Sequence, residues 1–288
     1  MNPRLGKASR SHLTSQRVAF SILGICTFVV VLPVILIFTY IIANGAGAIT
    51  WDFLTKGPSM AGKAGGIFPA IVGTFYLMIG TIIFALPVGM LAAVYLTEYA
   101  RQNWLTRLIN LAIVNLAGVP SIVYGLFGMG FFVLAMHLGM SLLSASLTLA
   151  SQGLALMITA SREALLTVPR EYREASLALG ASKWQTIRRI VIPEAMPGIV
   201  TGAVLAMSRA AGETAPILTV GAAFLMPALP TSPFDQFMAL AYHLYTVAAS
   251  VPGAPKVIVW GTALVLLVVV LAFDMGAIII RLRARHKR

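Results

Sequence analysis

The sequence predicts an all-α polytopic membrane protein with six transmembrane helices, and three observations carry that expectation. Of 288 residues, 59% are hydrophobic and only 10% charged, with a mean hydropathy of +0.90. A soluble domain has about 25% charged residues, so this chain lacks the polar side chains to cover a water-facing surface. Six apolar runs each reach the roughly 20 residues that a helix needs to cross a bilayer. The basic residues fall on alternate sides of those runs. Together these features exclude a soluble enzyme and a disordered regulator. The one cysteine, Cys26, lies inside an apolar run, so the chain builds no disulfide framework and no thiolate metal site.

The first run, 18–43, contains no charge. Ala46-Gly47-Ala48 after it resembles a signal cleavage site, but a signal core has only about 7–15 apolar residues, so a retained anchor is expected. The second run is 67–97 and the third 108–135. The third follows an amphipathic stretch with Trp104 and Arg107, and Gly118-Val119-Pro120 is expected to break or bend it. The fourth, fifth and sixth runs are 141–160, 196–224 and 257–280.

Six spans put both termini on one side. That side holds Arg4, Lys7, Arg10 and Arg17 in the tail 1–17, and Arg281, Arg283, Arg285, Lys287 and Arg288 in the tail 281–288. It also holds Arg101 and Arg107 after the second run, and Arg162, Arg170, Arg173, Lys183, Arg188 and Arg189 in the loop 161–194. The opposite side has only Lys56, Lys63 and Lys256. Seventeen against three is expected to place both basic tails and the 161–194 loop in the cytoplasm, around a transmembrane domain 18–280. The formal charge of +12 is then mainly a topology signal: the lipid bilayer is the expected partner, and nucleic acid is not. The connections 44–66 and 225–256 face outward and are too small for a receptor domain.

Gly57 to Ala64 approximates the phosphate-binding pattern G-x-x-x-x-G-K-[ST], but Ala64 brings no hydroxyl and no strand precedes it. It is expected to be a flexible outer loop, so ATP, where transport consumes it, must be bound by another chain. His12, His137, His243 and His286 stand apart from one another, without the clustering that a metal site requires. No nucleophile motif is present, and no catalytic residue is expected. Asp274 is expected near the cytoplasmic interface, snorkelling or paired with Arg.

The loop 161–194 carries more information. Pro169 suits a helix start, Arg170 to Leu179 contains no breaker, and Gly180 is a natural stop. Ser182 with Gln185 is a capping-box pattern, opening a helix with Trp184, Ile187 and Ile190 or Val191 along one face. Pro193 and Pro197 then mark the start of the fifth span. The pattern reads as two short helices at an angle. By itself it fits an amphipathic hairpin on anionic lipid as well as a docking element for a cytoplasmic partner.

Glu174-Ala175-Ser176, three residues, Gly180, nine residues and Ile190-Val191-Ile192-Pro193 together resemble the EAA signature of bacterial ABC importer permeases. That signature is E-A-A, three residues, G, nine residues, I-x-L-P; Ser176 and Ile192 depart from it mildly. The resemblance implies a coupling helix seated in a groove of an ATPase subunit. It assigns Glu174, Ala175, Gly180, Ile190 and Pro193 to coupling, with Glu174 paired to a basic residue of that subunit.

Within the fifth run, Arg209 lies about 18 Å along a helix from Pro197, near the bilayer middle, with Glu213 one turn further. An Arg at that depth costs about 2.5–3.5 kcal/mol on insertion scales, so it is expected to face protein or water. Gly198, Gly202, Ala206 and Ala210 form a small-residue ridge that favours close helix contact, and the charged pair borders it. A purely structural salt bridge is one reading. The Arg-before-Glu order is the weaker one for such a bridge, which favours a functional site.

Arg209 to Pro216, Gly118 to Gly128 and Pro87 to Tyr99 resemble segments of the phosphate-specific ABC importer permeases, in order and length the PstA type. The resemblance implies the type I importer fold in a bacterial inner membrane, and a permease subunit that moves inorganic phosphate from periplasm to cytoplasm. It places Arg209, Glu213 and Thr214 on the substrate pathway. The implied partners are a homologous second permease, two cytoplasmic ATPase subunits that bind ATP and Mg, and a periplasmic phosphate-binding protein; this chain itself holds no cofactor. Guanidinium forks match phosphate oxygens, in keeping with that cargo. The alternatives are a permease for molybdate, sulfate or phosphonate, an ion-coupled secondary transporter, and a membrane-anchored scaffold. Secondary transporters often carry inverted repeats and several intramembrane carboxylates, which this sequence does not suggest.

Overall fold

A computed structural model describes residues 10–226 and 228–285. Arg4, Lys7, His286, Lys287 and Arg288 of the basic tails lie outside the described residues. Helix α1 (Arg10–Gly45) is apolar on all sides and its apolar side chains point outward, which requires an apolar surrounding. It packs on the last helix, where the Tyr40 ring meets the edge of Trp260 at 5.0 Å.

A short helix α2 (Trp51–Thr55) is capped by Thr50. Strands β1 (Pro58–Ser59) and β2 (Ala64–Gly65) then pair antiparallel. The segment expected to be a flexible loop is therefore an ordered hairpin. Its turn passes through Met60 and Gly62 at positive φ, and a Cβ on Gly65 would strike the Gly57 carbonyl, so only glycine closes it.

Helix α3 (Phe68–Val94) runs on through a π turn at Tyr95–Tyr99. Helices α4 (Trp104–Ala117) and α5 (Ser121–Gly128), the latter prolonged by a π turn at Met129–Ala135, meet at 102°. The break falls at Gly118-Val119-Pro120, where the sequence placed it. The Tyr124 hydroxyl donates to the Leu116 carbonyl at 2.9 Å and closes the elbow. The third run is thus sharply bent rather than straight.

Helix α6 (Leu142–Leu166) is capped by Ser141. Beyond it come α7 (Arg170–Ala178), α8 (Lys183–Thr186), a π turn at Ile187–Val191 and α9 (Ile192–Gly212). The last three form one continuous helix, Lys183–Gly212, so the second loop helix is the base of the fifth span and not a separate piece. Proline normally interrupts a helix, but here the wider π turn lies immediately before Pro193 and accommodates its missing donor and its ring.

The fifth helix also stops early, at Gly212, rather than continuing to 224. Glu213 is extended (ψ 133°), and Pro216 starts a new short helix α10 (Ala215–Leu218). The chain then folds back, with the Ala223 amide donating to the Phe237 carbonyl at 2.8 Å. Helices α11 (Leu240–Ala249) and α12 (Lys256–Arg285) complete the order. Among the described residues five helices are long and apolar enough to cross a membrane, and the count is six where the bent α4–α5 pair is taken as one span.

Helix α6 is the central post, packed against α3, α4, α5, α9 and α10. Leu77, Leu149, Ala210, Ile217, Val220 and Phe237 join four of these segments in one buried cluster. Asp274 lies on α12. It follows Phe273, whose ring packs at 5.8 Å on Phe75, the eighth residue of α3, far from the Tyr99 end. Among the described residues Asp274 forms no ion pair.

His243 on α11, outside the long spans, is 1% exposed and stacks on Phe224 at 5.9 Å. Burial pushes its pKa below the usual 6.5; the nearby Phe224 backbone opposes this only in part and forms no full hydrogen bond with the ring. The unfolded chain therefore takes up this proton first as pH falls through 6.5, and stability drops with it. His243→Phe is expected to flatten the fall in melting temperature between about pH 7.5 and pH 5; an equal fall in variant and parent contradicts the assignment.

Candidate functional site

Two sites emerge, one deep in the bundle and one at the far end of α6. In the deep site Arg209 occupies the last turn of α9, and its Nε lies 3.3 Å from Glu213 Oε1. Gln152 Nε2 donates to the same oxygen at 2.6 Å. Gln152 is the eleventh residue of α6, hence about 15 Å from its start and close to its midpoint. The carboxylate is thus held at mid-span, although Glu213 stands just past the end of its helix rather than one turn along it.

The two ions differ in exposure. Glu213 is 16% exposed, whereas Arg209 is 59% exposed. Only Nε of Arg209 takes part in a hydrogen bond among the described residues, and Arg209 borders a small cleft of about 10 Å³ with Leu149, Gln152, Leu156, Ala206 and Glu213. Thr214 opens α10 nearby, but its side chain is not drawn into the pair. Gln152 escaped the sequence reading. Its signal was a lone long amide within the otherwise small and apolar run 141–160.

The ridge of small residues explains how the pair is placed. Gly198 and Gly202 of α9 lie on Ala164 and Ala160 of α6, so close that a Cβ on Gly202 would come within 2.5 Å of the Ala160 Cβ. Further along, α5 seals the return of the chain: the Thr219 hydroxyl donates to the Gly125 carbonyl at 3.0 Å, and Gly125 sits on Pro216. Gly125 thus meets Pro216 and Thr219, about ninety residues further along the chain and just beyond the charged pair.

At the loop, Gly180 adopts φ +84° between α7 and α8. The capping box forms: Ser182 Oγ accepts from the Gln185 amide, and Gln185 Oε1 accepts from the Ser182 amide at 2.8 Å. The Ser176 and Thr186 hydroxyls, 2.9 Å apart, pin the two helices together, so the serine that departs from the EAA pattern has a structural task. Beside them lies a groove of about 430 Å³ lined by Tyr172, Ala175, Ser176, Leu179, Gln185 and Ile190. Ala175 and Ile190 thus share one groove, while Glu174 is exposed on α7, Gly180 forms the turn and Pro193 lies beyond it. Ile187 and Val191 are buried, but Trp184, in the first turn of the helix, is exposed. Among the described residues no three His, Cys, Asp or Glu side chains converge on a metal position.

Residues 85–286 match a family described as binding-protein-dependent transport system inner membrane components. The chain is 33% identical to the probable ABC transporter permease protein YqgI of Bacillus subtilis, over 91% of this chain and 94% of that one. It is 37% identical to the phosphate transport system permease protein PstA 1 of Mycobacterium tuberculosis, over 91% and 87%. It is also 32% identical to a probable phosphate transport system permease protein PstA of Methanocaldococcus jannaschii, over 94% and 95%. Among solved structures, a chain of the inward-facing MetNI methionine ABC transporter superposes with TM-score 0.61 at 18% identity, over 76% of this chain and 97% of that one. A chain of a bacterial alginate ABC transporter superposes with TM-score 0.59 at 15% identity, over 94% and 96%. The architecture is the type I importer permease fold.

The α6–α9 seam sets the position of the pair and is open to test. Gly202→Leu is expected to cost about 1–3 kcal/mol through overpacking against Ala160, read as a lower melting temperature in detergent. Gly24→Ala, in open surroundings on α1, should cause no loss.

Proposed function

Because the chain belongs to the family of binding-protein-dependent transport system inner membrane components, we propose that it is the permease subunit of an ATP-driven importer that carries inorganic phosphate inward. The observation that carries this reading is the half-engaged guanidinium of Arg209 at mid-span, held by Glu213 through Nε alone. The PstA names of relatives from bacteria and an archaeon support the same cargo.

The geometry suits a conducted oxyanion. The two terminal nitrogens of Arg209 offer a planar fork that matches two phosphate oxygens. Glu213, fixed by Gln152, holds a negative charge beside that fork and limits how tightly an anion is retained. Conduction needs this balance, since a site that binds too well does not release. Thr214 lies at the start of the returning segment and adds a hydroxyl near the same pathway.

In this reading a homologous second permease completes the pathway, and a periplasmic phosphate-binding protein delivers from outside. Two cytoplasmic ATPase subunits bind ATP and Mg and seat against Glu174, Ala175, Gly180, Ile190 and Pro193. The excess of basic residues on one side supports both termini and the hairpin as cytoplasmic. No covalent chemistry falls to this chain.

Arg209→Gln in the reconstituted complex is expected to abolish ATP-dependent phosphate uptake while insertion and assembly persist. Normal uptake by that variant overturns the pathway assignment. Uptake of sulfate or molybdate in place of phosphate by the parent complex, with the matching binding protein, overturns the cargo.

A further inference from the structure

Arg173, the residue immediately before the EAA-like Glu174, has no role in the reading above. It is 19% exposed, and its guanidinium is shared among three parts of the fold. Nη2 and Nε donate to Glu98 Oε1 at 2.9 and 3.2 Å, and Glu98 belongs to the π turn that ends the second span. Nη2 also donates to the Leu165 carbonyl at 2.9 Å, and Nη1 donates to the Val168 and Pro169 carbonyls at 2.7 and 3.4 Å. These carbonyls close the end of α6, where a cation is favoured by the helix dipole. Glu98 is only 10% exposed, so the ion pair is shielded from water, unlike the exposed Asp52–Lys56 pair on the other side.

We propose that Arg173 is a positioning residue that, with Glu98, ties the cytoplasmic hairpin to the ends of α3 and α6, so that force on the hairpin is carried along α6 to Gln152 and the Glu213–Arg209 pair. The inference rests on the importer reading and deepens it. A lysine cannot replace this arginine: one ammonium offers three donors from a single point, whereas five bonds in two directions need the planar fork. The remainder of the hairpin is joined to the same lever. Ser176 with Thr186 links α7 to the α8–α9 helix, and Lys183 Nζ lies 4.8 Å over the Tyr99 ring at the end of the second span. Helix α6 is thereby fixed at one end by Arg173 and holds the carboxylate of the deep site at its middle.

The test uses the complete complex in proteoliposomes, with phosphate uptake and ATP hydrolysis measured on the same vesicles. Arg173→Lys and the isosteric Glu98→Gln are expected to keep ATP hydrolysis but lower the phosphate moved per ATP by about fivefold, with Glu98→Asp restoring most of the ratio. Hydrolysis and uptake falling in parallel in all three variants would assign a structural role only and overturn the proposal, as would an unchanged ratio. If Arg173→Lys does not assemble, Glu98→Gln decides. Amide hydrogen exchange over 170–179 provides a readout that does not depend on the cargo. A parent complex that hydrolyses ATP without moving phosphate overturns the cargo reading alone; faster exchange in Glu98→Gln then supports the tie, and unchanged exchange overturns it.

Discussion

A carboxylate set against the middle of a neighbouring apolar helix must be held, and Glu213 is held by one amide and one guanidinium. Much of the bundle follows from that constraint. To bring Glu213 onto Gln152, α9 stops at Gly212 and the chain turns extended, which starts α10 and sends 219–239 back against α3 and α6. To bring α9 close enough, its surface toward α6 is glycine and alanine. A buried ion pair is weak evidence for stability, because neutral side chains of similar volume pack as well or better. Here the pair is also asymmetric, with Glu213 mostly buried and Arg209 largely exposed.

Much of this fold was legible from residue order. Composition and six apolar runs identified the membrane class, and Gly118-Val119-Pro120 located the elbow. Gly180, Ser182 and Gln185 located the turn and cap of the hairpin, and the Gly198–Gly202 ridge located the helix seam. All of these are local signals, with cause and effect within a few residues. What escaped was long-range or counter to propensity. Gln152 meets Glu213 across 61 positions, and Arg173 meets Glu98 across 75, distances over which periodicity carries no information. The segment 213–224 stays apolar, so hydropathy extends the fifth span even though the backbone leaves the helix at Gly212. Pro193 and Pro197 read as the start of the fifth span, yet the helix already runs from Lys183, through a π turn, to Gly212.

The basic excess also takes on a sharper meaning. Most of the +12 is spread over tails and loops, where position matters more than contact. Two cations are different, because their geometry is specific: Arg209 at the deep pair and Arg173 at the hairpin. Each is joined to a carboxylate from another part of the chain or from beyond its own helix, and α6 lies between them. The two ends of the molecule are thus connected through one helix with a polar contact at its middle and another at its end.

The central claim is that Arg209 faces a water-filled pathway rather than lipid or a sealed contact. Substituted-cysteine labelling tests it most directly: Arg209→Cys in a Cys26→Ser background, with the assembled complex exposed to a small water-soluble thiol reagent. Labelling that changes when ATP is added is the expected result. A cysteine at 209 that stays unlabelled in every state, while one at the exposed Arg101 reacts, would contradict the account.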